Sequence, residues 1–228
     1  MVSVSGISVI APGIGGWDDV RAALRGEAPW PEGYLALSAP DILAPRERRR
    51  TSLSQRLALN AAVDACRMAG CPLEDVMSVF GSAVGDGTVC DGILTALSQP
   101  DRLVSPTQFH NSVHNAAAGY WSIGTGNSHS SISIAAGKAT FGAGLLRAIV
   151  MAISECRPTV LVVSDHPMPG LLGEMYAMAE GMAVGLLIVP GAADRPLATL
   201  DLVGGTNAAE TVPEEAVLAG LYNETTAG

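Results

Sequence analysis

The sequence predicts a layered α/β domain, and three features carry that expectation. Short apolar runs of strand length alternate with segments of helical periodicity along most of the chain. Two runs, residues 159–164 (TVLVVS) and 183–189 (AVGLLIV), are apolar almost without a break, as in strands covered on both faces. The chain has 228 residues, 48% of them hydrophobic, enough for one large core and incompatible with a disordered polymer.

Taken in order, a first strand is expected over residues 2–11, followed by a Pro/Gly-rich turn and a helix over 17–25. Residues 29–45 are Pro-rich and irregular. Over 52–68 apolar residues recur at Leu53, Leu57, Ala61, Ala65 and Met68, a helical stripe that Gly70 closes. Residues 76–84 read as a second strand and 88–97 as a Gly-punctuated helix. Residues 116–126 are mostly small apart from the Tyr120–Trp121 pair, so a helix there can approach a neighbouring backbone closely. Ser and Ile alternate over 130–135 with the period of a strand. That strand feeds a buried helix over 141–153, where Phe141, Leu145, Ile149 and Ile153 are spaced by four. A further strand over 197–203 completes a single domain, residues 1–205. An acidic segment, 206–228, follows, with a short helix over 213–222.

Thirteen basic against 22 acidic residues give a net charge of −9, which repels nucleic acid and anionic membrane. Only 15% of residues are charged, against roughly 25% in an average soluble protein, so much of the surface has to be apolar or covered by an obligate partner. No apolar run approaches the roughly 18 residues of a membrane helix, and the N-terminus lacks a charged region or cleavage site. The expectation is a cytoplasmic protein with no membrane span. Cys66, Cys71, Cys90 and Cys156 lack paired spacing and have apolar or small neighbours, so they read as reduced core thiols. His110 and His114 stand four apart, as metal ligands on a helix face do, but no carboxylate or third histidine is near in sequence. They read as packing histidines. The glycine clusters APGIGGW and GSAVGDG lack the lysine and the strand–glycine–helix order of a nucleotide site, and no cofactor is expected.

Residues 105–148, SPTQFHNSVHNAAAGYWSIGTGNSHSSISIAAGKATFGAGLLRA, resemble the β-ketoacyl synthases of the thiolase superfamily. That family carries a Pro-x-x-x-x-Asn-x-x-x-Gly helix, then a Ser-Ile-rich strand at its dimer interface, then a nucleophilic cysteine at the start of a buried helix. Asn115, Gly119, residues 131–135 and residues 139–153 fall into that frame. Residues 49–59 (RRTSLSQRLAL) resemble the family's Arg-rich stretch before its second helix. Residues 181–189 and 197–205 resemble its last two strands before the mid-chain crossover. The resemblance spans essentially all 228 residues but only the N-terminal half of the family's length. It implies a thiolase-like layered fold, a mixed central sheet flanked by helices.

Two departures bear on activity. Where the family has its cysteine this chain has Lys138, its only lysine. A thiolate is stabilised by the positive end of a helix, whereas an ammonium there is not and forms no acyl thioester. The family's C-terminal half supplies two histidines and a lysine for decarboxylation and oxyanion stabilisation, and nothing after Gly205 replaces them. The resemblance therefore implies a catalytically dead subunit, a chain length factor in a heterodimer with a full-length β-ketoacyl synthase acting on acyl carrier protein. The wording HNSVHNAAAGYWS is close to that of truncated members associated with aryl polyene or xanthomonadin-type pigment clusters. A divergent acyltransferase using Lys138 or Cys90, and an acyl-binding homodimer, are the competing functions.

The resemblance also implies site residues. Ile132 and Ile134 on the Ser-Ile strand, with Asn115 on the preceding helix, are expected at the dimer interface, and Ile132→Lys is expected to break association while sparing the fold. Residues 104–109 lie where a partner's acyl tunnel is gated, which makes Val104, Gln108 and Phe109, together with Tyr120 and Phe141, candidate tunnel or interface residues. Phe109, Tyr120 and Trp121 fit an ordinary aromatic core as well. Arg46, Arg48, Arg49 and Arg50 are either a solvated loop or a docking site for acidic carrier proteins.

Overall fold

The computed structural model describes residues 1–176 and 178–203. The acidic segment 206–228 and its helix over 213–222 lie outside the described residues, as does the domain boundary at 205. Six strands form one sheet: β1 (Val2–Ile10), β2 (Met77–Gly81), β3 (Ser131–Ile134), β4 (Thr159–Asp165), β5 (Met182–Pro190) and β6 (Ala198–Leu200). Their order is β3-β2-β4-β5-β1-β6. β2 runs parallel to β3 and β4, and the remaining pairings are antiparallel, so the sheet is mixed as expected. β2 is shorter than the sequence suggests because residues 82–84 leave the sheet and turn toward β4, and β6 keeps only three residues.

Eight helices accompany the sheet among the described residues: α1 (Trp17–Leu24), α2 (Pro45–Arg48), α3 (Leu53–Met68), α4 (Gly87–Ser98), α5 (Pro106–Asn111), α6 (Ala116–Thr125), α7 (Thr140–Ser154) and α8 (Gly170–Met175). Two of them sandwich the sheet. α3 lies across β1, β5 and β4, and α7 lies across β4 and β2. Strand alternation serves both layers. Val160 and Val162 of β4 join the core under α3 with Leu57, Leu59 and Leu187, while Leu161 joins the core under α7 with Ala148, Ile149 and Ile188. The unbroken apolar runs of β4 and β5 are thus explained by coverage on both faces.

Close approach on the α3 side depends on missing side chains. A Cβ on Gly185 would sit 2.5 Å from the Ala61 carbonyl oxygen of α3, and one on Gly6 would strike the Ala65 carbonyl. Alanines on the helix and glycines on β1 and β5 let the two backbones meet. The stripe read from sequence is right at its centre, where Leu57, Ala61 and Ala65 are fully buried, but its ends, Leu53 and Met68, are exposed.

Three expectations need correction. The helix α7 is not buried on all sides: Phe141 and Ile153 are exposed, because only one face meets the sheet. For the same reason Gly137–Ser154 passes for a bilayer-spanning helix in length and composition, contrary to the sequence reading, although its inner face belongs to the core of this domain. Of the four cysteines, all free, only Cys66 is a buried core thiol; Cys71 is half-buried, and Cys90 and Cys156 are exposed because they sit on the outer side of α4 and just past the end of α7. Burial pushes the Cys66 thiol well above its ordinary range, with Cys71 adding to the shift.

Candidate functional site

The carboxyl ends of the parallel strands β2 and β4 point the same way, and in α/β sheets that is where ligands bind. Asp165, the last residue of β4, ties the two strand ends together. Its carboxylate accepts the Ser82 hydroxyl at 2.5 Å, the Ala83 N–H at 3.0 Å and the Val84 N–H at 3.4 Å. Ser82 Oγ in turn accepts the Gly85 N–H at 2.8 Å, and Gly85 takes the left-handed conformation, φ 72°, that closes this loop.

The loop delivers Asp86 to the start of α4, where it accepts the Val89 N–H at 3.1 Å as an N-cap. The same carboxylate accepts the Ser52 hydroxyl from the start of α3 and faces His166 Nε2 at 3.5 Å, an ion-pair distance. His166 is 2% exposed, and its Nδ1 lies 3.0 Å from the Pro167 carbonyl oxygen. Burial alone would raise the Asp86 carboxyl, but the facing His166 and the hydrogen bonds from Ser52 and Val89 outweigh it and hold Asp86 below its ordinary value. Burial alone would lower His166, but Asp86, with the Pro167 carbonyl and Asp165, raises it above its ordinary value.

Beside this junction opens a cleft of about 490 Å³. Lys138, Thr140 and Phe141 form one wall, and Val163, Met168 and Met182 are among the apolar residues opposite. Lys138 sits in a single turn, Gly137–Ala139, that leads into α7. The turn is fixed by buried Thr140, whose Oγ1 accepts the Ala136 N–H at 3.0 Å and donates to the Gly137 carbonyl at 2.7 Å. A second cleft, about 230 Å³, lies against the other side of the β2–α4 loop and collects Cys90, Asn111, His114 and Asp86. Cys90 therefore lines a different cleft from Lys138, as its place in another element implied.

β3 is an edge strand, hydrogen-bonded only to β2 within the sheet. The carbonyls of Ser130 and Ile134 accept from β2 at 3.1 Å each, so by the alternation of a parallel ladder residues 131 and 133 turn their backbone groups to the open side. Ile132 and Ile134 are not on that open side. Both pack on the core beneath α7, which corrects the expectation that Ile132→Lys would spare the fold.

The other candidates separate into groups. Tyr120 is 1% exposed, its hydroxyl donates to Asn111 Oδ1 at 3.1 Å and its ring meets His110 edge-on at 5.5 Å, so it is a core residue of α6. His110 ends in α5 and His114 lies beyond it, so they share no helix face. Phe109 is 67% exposed, Gln108 and Val104 are half-buried, and Gln108 rests its amide against Gly92 of α4. Asn115 is exposed, and its carbonyl accepts the Gly119 N–H at the start of α6. In the arginine run, Arg46 and Arg49 are exposed, Arg48 donates to the Leu43 carbonyl through two nitrogens and Arg50 pairs with Glu47 at 3.5 Å. Sequence reasoning missed Asp86, Asp165 and His166. The signal for two of them was an Asp-His-Pro placed just where a fully apolar strand ends.

Comparison with known proteins agrees with this geometry. Residues 22–219 match the β-ketoacyl synthase, N-terminal domain. No curated protein matches the chain. Among solved structures it is similar to a chain of the ketosynthase ApeO in complex with its chain length factor ApeC from Xenorhabdus doucetiae, at 25% identity and TM-score 0.69, covering 84% of this chain and 79% of that one. It is similar in fold to the ishigamide ketosynthase/chain length factor, at 18% identity and TM-score 0.68, covering 86% of this chain and 64% of that one. A type II polyketide ketosynthase in complex with its acyl-carrier protein gives 16% identity and TM-score 0.66, with 82% and 62% covered. The chain spans under two thirds of these last two.

Proposed function

The chain belongs to the β-ketoacyl synthase N-terminal domain family, and from that premise we propose that it is a non-catalytic subunit of the chain-length-factor kind. It pairs with a full-length, cysteine-bearing β-ketoacyl synthase and helps limit the acyl chain that the synthase extends on acyl carrier protein. The similarity to a ketosynthase complexed with its chain length factor supports this pairing. The pigment polyenes of the aryl polyene or xanthomonadin type are the product class, and the cytoplasm is the site of action.

The observation that carries the reading is Lys138 at the mouth of the 490 Å³ cleft, in the turn that opens α7. The field of a helix N-terminus favours an anion, and a thiolate there is a nucleophile at neutral pH. An ammonium at the same place has no lone pair to attack a thioester. His166, which lines the same cleft, has its ring nitrogens turned to Asp86 and to the Pro167 carbonyl. On this reading the cleft is a former reaction site in which Lys138 stands where the nucleophile would be.

The remaining assignments are proposals of the same reading. The open edge of β3, with Asn115 and the 61%-exposed Ile123 of α6, is the synthase-binding surface, because an uncovered strand edge invites pairing. Phe109, flanked by Val104 and Gln108, is the side chain this subunit offers to the acyl tunnel. Phe141 contributes at the cleft mouth, whereas Tyr120 acts only by packing α6. Arg46 and Arg49 dock the carrier protein, and Arg48 and Arg50 brace that loop. The folded unit is residues 1–205.

Two measurements on one preparation test this. Co-expressed with a full-length synthase, the chain is expected to co-purify as a complex. Incubated alone with labelled acyl carrier protein, it is expected to show no added acyl mass. A stable acyl adduct on the isolated chain would overturn the non-catalytic reading, and failure to associate with any synthase encoded beside it would overturn the pairing.

A further inference from the structure

The carboxyl end of α3 brings two cysteines together. Gly70, in the left-handed conformation at φ 63°, turns the chain back after Met68. Its N–H donates to the Arg67 carbonyl at 3.0 Å, and the Cys71 N–H donates to the Cys66 carbonyl at 3.0 Å. This pair of bonds marks a helix-ending motif in which an apolar contact commonly joins the two side chains flanking the longer bond. Here those side chains are Cys66 and Cys71. From one α-carbon to the other across that hydrogen bond the path is no more than about 7 Å, so the backbone lies within the reach of a disulfide. Cys66 is fully buried in the core under α3, and half-buried Cys71 packs against the same core. The two thiols are near enough that charge on Cys71 opposes ionisation of Cys66. Neither lines the clefts described above.

We propose that Cys66 and Cys71 are a redox pair, which hydrogen peroxide converts to an intramolecular disulfide that staples the end of α3. Cys71 is the side chain that the oxidant reaches. As a thiolate its sulfur attacks one peroxide oxygen and the O–O bond breaks, leaving a sulfenic acid on Cys71 and releasing hydroxide. The Cys66 sulfur, giving up its proton, then attacks the Cys71 sulfur. The S–S bond forms, the S–O bond breaks and the hydroxyl departs as water. Two thiols have then lost two electrons and two protons, and the peroxide has become two waters. Burial, with Asp75 and Glu74, raises the Cys71 thiol above its ordinary value, so the first step is slow at neutral pH. The same lack of thiolate stabilisation makes the disulfide, once formed, hard to reduce. The pair thus responds to sustained oxidation.

The test uses the full chain with the two exposed cysteines replaced, Cys90→Ser and Cys156→Ser. Held folded in excess hydrogen peroxide, it is expected to lose both remaining thiols and the mass of two hydrogens without linking one chain to another. The oxidised sample is expected to unfold a few degrees above the same sample reduced with a phosphine. With Cys66→Ala added, the sulfenic acid at Cys71 is expected to persist and to be trapped by dimedone. With Cys71→Ala added, a change at a half-buried position that the fold tolerates, Cys66 is expected to keep its thiol. Two thiols that survive the treatment overturn the proposal. So do a sulfinic acid on Cys71 in place of the disulfide, a linkage between chains, or an oxidised sample that unfolds below the reduced one.

Discussion

Burial would strip His166 of its proton if Asp86 did not face it, and the balance between those two effects sets where this pair stabilises the fold. His166 is raised above its ordinary value, so its contribution is complete below about pH 6.5 and is lost as pH rises through the raised value. Asp86 is lowered, so its contribution is complete above about pH 4 and is lost as pH falls through the lowered value. The pair stabilises most between those limits. Removing one member of a buried pair leaves the other charge uncompensated, which costs about 3 kcal/mol or more. His166→Gln is therefore expected to lower stability by about that amount near pH 5.5, with the difference from the unsubstituted chain shrinking above neutrality; denaturant unfolding at a series of pH values measures it, and a gap independent of pH would remove the ion pair from the account. Neither residue was legible in the sequence as a partner of the other. Eighty positions separate them, and only the sheet, which sets β2 beside β4, brings the two loops together. Lys138 was singled out from its immediate neighbours in the chain, and the structure places it in the turn that leads into α7, on the wall of the cleft.

The elements themselves were largely readable, since period and punctuation are local properties. Where the reading failed, coverage was the cause. Periodicity shows that Ile132 and Ile134 share a face of β3, but not whether that face meets α7 or a partner, and the structure sets it against α7. The open side of the strand is its backbone edge, so the informative substitution there is Ser133→Pro. It removes an N–H that turns away from β2, at an edge position where proline is tolerated, and is expected to abolish co-elution with the synthase while the melting temperature falls only slightly. Unchanged co-elution would place the interface elsewhere. The contact of α3 with the sheet gives a contrasting expectation. A side chain on Gly185 meets the Ala61 carbonyl at 2.5 Å, and a backbone cannot yield there as a flexible side chain would. Gly185→Val is expected to cost about 2 kcal/mol or more through overpacking, read as a shifted unfolding midpoint, with association through β3, as proposed, unaffected in whatever fraction stays folded.

At the scale of the whole molecule, the low share of charged residues and the many exposed apolar side chains have one explanation. On the proposed reading, the open edge of β3 is where a synthase covers this domain. In that setting Phe109, a phenyl ring 67% exposed on a six-residue helix, is a side chain that a partner would bury. If it enters the synthase's acyl tunnel, it ends that tunnel by steric overlap. Forcing further carbons against a packed ring costs about 1 to 3 kcal/mol, enough to change a product ratio by about tenfold. Phe109→Ala, co-expressed with the cognate synthase, is expected to shift the products to longer chains, visible as higher masses and a red-shifted polyene absorption. The truncation lies on the surface of this subunit, so the complex should form as before. An intact complex with unchanged product masses would show that the tunnel ends on other side chains, with the neighbouring Gln108 and Val104 the next to exchange.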